Sequence, residues 1–178
     1  MFTGKKVIAL CGFIFSGKTK IAGIIAEKSG MAFYDTDELI QKETGLKIFD
    51  IFNESGEEKF RELEHKTLTE LLPALKHAVV ALGGGAVTRK ETLEFLKTSV
   101  FLVYLKVSFI EIMSRIAAAP ETEIKSRPLA AERNFEKLKK IYDSRLAFYE
   151  SAHLSITCDE LTPEAAAAKI MAALDLKK

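Results

Sequence analysis

The sequence is poor in cysteine. Cys11 and Cys158 lie far apart in apolar settings, and neither belongs to a C-x-x-C or His-rich cluster. That excludes a disulfide framework and a thiolate metal centre, and leaves two buried thiols in a reducing compartment. Long hydrophobic runs are missing too: the apolar stretches are strand-sized, and MFTGKKVIAL has no small-residue cleavage site after its apolar part. The expectation is a cytoplasmic protein with no membrane partner. Charge of one sign is also lacking, since 26 Lys and Arg face 25 Asp and Glu for a formal charge of +1. No broad field exists to draw nucleic acid, so any anion site has to be local. No repeat or low-complexity tract interrupts the 178 residues, of which 48% are apolar, and one domain over 1–178 is expected.

What is present is alternation. Strand-like apolar segments recur at 6–11, 31–34, 78–82, 100–107 and 154–157. Helical spacing of threes and fours fills 18–28, 38–44, 48–75 with a break near 53–56, 90–97, 109–118 and 132–151. Thr162, Pro163 and Glu164 read as the N-cap and first turn of a last helix. Strands apolar along their whole length, alternating with helices, predict an α/β fold with a parallel sheet covered on both faces. Ligands of such sheets sit beyond the carboxyl ends of the strands, which puts 12–19, Asp35 and 83–85 on one rim. Residues 117–128, AAAPETEIKSRP, fit no element and predict a long functional or mobile loop.

The first strand runs directly into GFIFSGKT, residues 12–19, with the spacing G-x-x-x-x-G-K-T. Gly12 and Gly17 permit torsions that let the amides of Phe15, Ser16, Gly17, Lys18, Thr19 and Lys20 converge on phosphate oxygens at a helix N-terminus. Lys18 adds a full charge toward the β and γ phosphates, and the Thr19 hydroxyl is offered to Mg²⁺. ATP and Mg²⁺ are therefore the expected cofactors. Of the strands, only the one ending at 34 delivers carboxylates, in DTDE. Helix capping is the ordinary use of such residues. Beside a phosphate loop, Asp35 is read on the metal side, mostly through water, and Asp37 as facing an acceptor hydroxyl.

A kinase for a small anionic alcohol also needs arginines to clamp the anion and a place where backbone approaches the ligand. Arg61 and Glu64 in EEKFRELE share a helix face, for which an exposed ion pair is the ordinary alternative. Gly83, Gly84 and Gly85 follow a strand in GGGAV, more glycine than a simple turn requires. Arg127 in KSRPL is a candidate cationic lid, and Arg145 lies in the amphipathic stretch KIYDSRLAFYESA.

In order and spacing, GFIFSGKT, FYDTDELI, GLKIFDIFNESGEEKFRELE, LGGGAV, SRPL and SRLAFYESA together resemble the shikimate kinase family over about residues 7–152. The resemblance implies a P-loop NTPase fold of the nucleoside-monophosphate-kinase-like type. That is a three-layer α/β/α sandwich with a five-stranded parallel sheet, a helical substrate region about 36–65 and a lid about 116–128. It implies ATP-dependent phosphorylation of the shikimate 3-hydroxyl, a step toward chorismate and the aromatic amino acids; a monomer is the expected working unit. By the same resemblance Asp37 activates the hydroxyl, Arg61 and Arg145 hold the shikimate carboxylate, and Glu64 holds Arg61. Gly83, Gly84 and Gly85 would line the ring, Phe52 and Phe60 form an apolar wall, and Arg127 meets nucleotide phosphate. Lys18, Asp37 and Arg127 are then the catalytic set. Three departures stand out. Phe15 replaces a glycine and is expected to turn outward; Pro120 stands where the family often has an adenine-side arginine, leaving Arg115 as the nearest upstream substitute; and no arginine follows Arg145.

Overall fold

The structure is a computed structural model that describes residues 6–176. In its first strand, β1 (Lys6–Cys11), every side chain from Val7 to Cys11 is buried. Because consecutive side chains point to opposite faces, both faces of the sheet at β1 are covered. β3 (His77–Ala81) and β4 (Phe101–Lys106) flank it and are buried almost as completely. β2 (Ala32–Asp35) and β5 (Leu154–Thr157) are the partly exposed outer strands. All pairings are parallel and the order is β2-β3-β1-β4-β5. Helices flank this five-stranded sheet, so the expected parallel architecture stands.

The connections are α1 (Lys18–Ser29), α2 (Thr36–Thr44), α3 (Ile48–Leu71), α4 (Lys90–Ser99), α5 (Phe109–Ala118), α6 (Glu121–Lys125), α7 (Pro128–Ala131), α8 (Phe135–Glu150) and α9 (Pro163–Ala173). Their ends follow local chemistry. Asp35, Ser108, Asn134 and Thr162 each cap a helix by accepting a backbone N–H with the side chain. Asn134 starts α8 three residues later than the apolar spacing alone places it. The break expected in the long helix falls at Gly56, whose φ of 79° and ψ of 171° kink α3. Ile40, Ile51 and Phe60 pack there as a small satellite core apart from the main one.

One expectation is corrected. Residues 117–128 are not a featureless loop but the end of α5, the whole of α6 and the start of α7. The segment's two prolines stand at helix starts, Pro120 as N-cap of α6 and Pro128 as the first residue of α7, where a missing N–H does no harm.

Candidate active site

Past the end of β1 the chain turns sharply. A Cβ on Gly12, at φ 149°, would lie 2.9 Å from the Leu105 carbonyl oxygen, so only glycine fits. Gly17, at φ 89°, then starts α1. The first helical bond runs from Ile21 N–H to Gly17 O at 2.9 Å, which leaves the amides of Lys18, Thr19 and Lys20 ahead of the ladder and free for an anion. Ser16 is fully buried, and its N–H closes a turn onto Phe13 O at 3.3 Å. Lys18 Nζ donates to Gly12 O at 3.0 Å and Phe13 O at 2.8 Å, and it is 8% exposed. Burial, helped by the nearby positive Arg127, pushes its pKa down to about 8.

Thr19 Oγ1 donates to Asp35 Oδ2 at 2.7 Å, while Asp35 Oδ1 accepts from Asp37 N at 3.0 Å and Glu38 N at 3.3 Å. Asp35 therefore both caps α2 and faces the loop hydroxyl. Among the described residues no cluster of three or more His, Cys, Asp or Glu could hold a metal. The hydroxyl and carboxylate of Thr19 and Asp35 are all-oxygen donors, which suits a hard ion bound mainly through phosphate and water.

Two residues beyond Asp35, Asp37 is half-buried and its Oδ1 has no partner. Burial first, then the neighbouring Asp35 carboxylate, raises its pKa. Glu64 is 1% exposed; its Oε2 accepts from Arg61 Nη1 at 2.6 Å and its Oε1 is unpartnered. Burial lifts Glu64 to about 7 against the pull of Arg61. Gly83 lies between the two acids: a Cβ there would stand 2.8 Å from Asp37 Oδ1 and would overlap Glu64 Oε1. A Cβ on Gly85 would strike the Arg61 guanidinium, 2.5 Å from Cζ. The glycines thus let three side chains, those of Asp37, Glu64 and Arg61, pack directly against backbone.

Arg145, on α8, is 6% exposed and donates from Nη1 to Gly84 O at 3.3 Å. Its Nη2 and the Nη2 of Arg61 both donate to one oxygen, Glu57 Oε1, at 3.4 and 3.3 Å. A carboxylate oxygen is already held between the two guanidinium groups. Arg61 Cζ sits 5.1 Å from the Phe60 ring centroid, and the Phe60 ring packs at a tilt against Phe52 with centroids 4.7 Å apart. Arg127 reaches back from the start of α7, with Cζ 4.7 Å from the Phe15 ring centroid. One cavity of about 870 Å³ is lined by the loop, Asp35, Asp37, Arg61, the three glycines, Arg127 and Arg145. Among the described residues, the buried side-chain polar atoms lacking a partner are Asp37 Oδ1, Arg61 Nε, Glu64 Oε1 and Arg127 Nε. Their gathering at one rim marks a place built for a polar ligand.

A family described as shikimate kinase matches residues 15–175. The chain belongs to the shikimate kinase family. Shikimate kinase from Thermodesulfovibrio yellowstonii is 36% identical over 167 residues, covering 93% of each chain. The enzyme from Caldicellulosiruptor bescii is 37% identical over 169 residues, covering 93% of this chain and 94% of its own. Among solved structures, shikimate kinase from Acinetobacter baumannii in complex with shikimate superposes with a TM-score of 0.86 at 33% identity, covering 98% of this chain and 96% of that one. A sugar kinase from Janibacter at 17% identity and TM-score 0.59, covering 97% of this chain and 95% of that one, shares the fold alone.

Against this family background, two departures read from the sequence acquire a location. Phe15 does not turn outward; its ring is half-buried under Arg127. Arg115 is tied down by three partners, Glu111 Oε1 at 2.8 Å, Phe15 O at 3.2 Å and Cys158 O at 3.1 Å, which joins the loop to the segment after β5. Sequence reasoning missed Thr36, whose buried hydroxyl accepts Gly83 N–H at 2.9 Å, Glu57 between the arginines, and Tyr149, whose hydroxyl donates to Gly84 O. Tyr149 was findable, since it lies four residues after Arg145 and so on the same helix face. Nothing local signals Thr36 or Glu57, whose roles come from chain segments brought together by folding.

Proposed function

We propose that the protein transfers the γ-phosphoryl group of ATP to the 3-hydroxyl of shikimate, giving shikimate 3-phosphate and ADP. The observation that carries this is Glu57 Oε1 held by both Arg61 and Arg145: the pair is spaced to grip a carboxylate, in the same cavity as the phosphate loop. Glu57 is more than half exposed, so a substrate carboxylate can displace it. With the ring carboxylate anchored there, Asp37, which lines the same cavity, supplies the carboxylate that accepts the 3-hydroxyl proton. The hydroxyl oxygen forms its bond to the γ-phosphorus as the bond to ADP breaks, and the proton passes to Asp37. Lys18 and Arg127 neutralise charge on the transferring group, and positioning supplies most of the rest. Thr19 and Asp35 are the residues to hold Mg²⁺, which when bound with nucleotide offsets phosphate charge.

On this reading the region about 116–128 closes over both ligands as a lid and keeps out water. The enzyme works as a cytoplasmic monomer without nucleic acid or membrane partners, and no helix of the described residues is long and apolar enough to cross a membrane. A coupled ADP-release assay tests the assignment, with shikimate set against gluconate and other hydroxy acids. ADP release with shikimate at a kcat/KM at least a hundredfold above the others is expected; preference for another acid, or none for shikimate, overturns it.

A further inference from the structure

Phe15 has a φ of 58°, in the left-handed region that bulky residues avoid. A glycine would meet the same backbone requirement without strain, so the ring calls for a reason of its own. That reason lies directly above it. Arg127 Cζ is 4.7 Å from the ring centroid, within the range for a cation resting on an aromatic face. Arg127 is otherwise loosely held: its Nη2 reaches Glu123 at 3.2 Å on a partly exposed surface, and its Nε is buried without a partner. Below Phe15, the backbone is anchored, since its carbonyl accepts from Arg115 Nη1 at 3.2 Å. A ring on a pinned backbone is a rigid platform.

We propose that Phe15 is a positioning residue for Arg127, its ring holding the guanidinium over the phosphate loop before nucleotide arrives. The inference rests on the reading of this loop as the ATP site. Without a platform, Arg127 would face the like charge of Lys18, which lines the same cavity. It would also sample many rotamers that ATP binding would have to freeze. The electron-rich ring face offsets the first effect and limits the second.

The chain contains no tryptophan, so Phe15→Trp creates a single indole reporter that still offers a ring to Arg127. In ligand-free protein, the emission of Phe15→Trp is expected to differ from that of the Phe15→Trp, Arg127→Ala double variant; coincident spectra overturn the proposal. In turnover, Phe15→Leu keeps apolar bulk and loses the π face. Its KM for ATP is expected to rise about three- to tenfold with kcat within about twofold. Phe15→Trp should restore KM, and in an Arg127→Ala background Phe15→Leu should add nothing. An unchanged KM, or effects that multiply independently, overturn the proposal. Should Phe15→Leu not fold, the spectral comparison decides. Should no variant, nor the wild type, phosphorylate shikimate, the functional reading falls while the spectra still decide whether ring and guanidinium touch.

Discussion

Asp37 lines the cavity with Lys18, Arg61 and Arg127, and its buried Oδ1 has no hydrogen-bond partner within the protein. Asp37→Asn keeps the shape and removes the proton acceptor. Turnover should fall by about 10²- to 10⁴-fold, with nucleotide affinity near normal, read as steady-state ADP release beside ATP titration. Turnover close to wild type would remove Asp37 from the chemistry. On the proposed reading Arg145 grips at a distance from the reacting hydroxyl, so Arg145→Ala should raise the KM for shikimate far more than it lowers kcat. An effect confined to ATP would mean that the guanidinium serves the other half of the cavity.

Glu64 gives a pH prediction of definite sign. It faces Arg61 on its own helix, Asp37 on α2 and Arg145 on α8, and its pKa rises from the ordinary 4.5 to about 7. The folded state then binds this proton more tightly than the unfolded chain does. The resulting stabilisation is full below about 4.5 and is lost as pH rises to about 7. Glu64→Gln titrates nothing at this position. The stability difference, wild type minus variant, should therefore fall across that window in urea titrations at a series of pH values and stay flat on either side; a difference that is constant with pH would show Glu64 ionised throughout.

At the scale of elements, the rim exists because each parallel strand ends at the same side and hands its next residues to the cavity. The turn after β3 is the tightest case. Gly85→Ala places a methyl group against the Arg61 guanidinium, so Arg61 has to leave either Glu64 or the carboxylate site. Shikimate affinity should drop about tenfold or more while ATP affinity holds, an expected loss of at least ~1.4 kcal/mol, measured by calorimetric titration of each ligand. Equal weakening of both ligands would instead indicate a distorted loop.

Across the whole molecule, one cavity is lined by elements distant in sequence: the phosphate loop, the kinked α3, α6 to α7, and α8. Ligand binding should therefore stabilise the entire fold, by about 2.7 kcal/mol for a ligand at one hundred times its Kd. ATP analogue and shikimate together should also protect residues 118–131 from limited proteolysis better than either alone. Protection by the nucleotide alone, with no gain from shikimate, would mean that closure does not sense the acceptor.

The phosphate loop, the parallel sheet and the Thr162 cap were legible along the chain because each depends on residues a few positions apart. A G-x-x-x-x-G-K-T turn, an unbroken apolar strand or a Thr-Pro-Glu helix start carries its own reason. Residues 117–128 were harder, since proline starts a helix as readily as it ends one and only the surrounding packing chooses. The pairing of Arg61 with Arg145 through Glu57, the Thr36 hydroxyl under Gly83 and the Phe15 ring beneath Arg127 were settled by tertiary structure alone. Each joins residues distant in sequence through contacts that local periodicity does not encode. Sequence determined which chemical groups this protein has and which strand ends carry them; folding decided which of them share one charge, one proton or one carboxylate, because those interactions act over a few ångströms of space rather than along the chain.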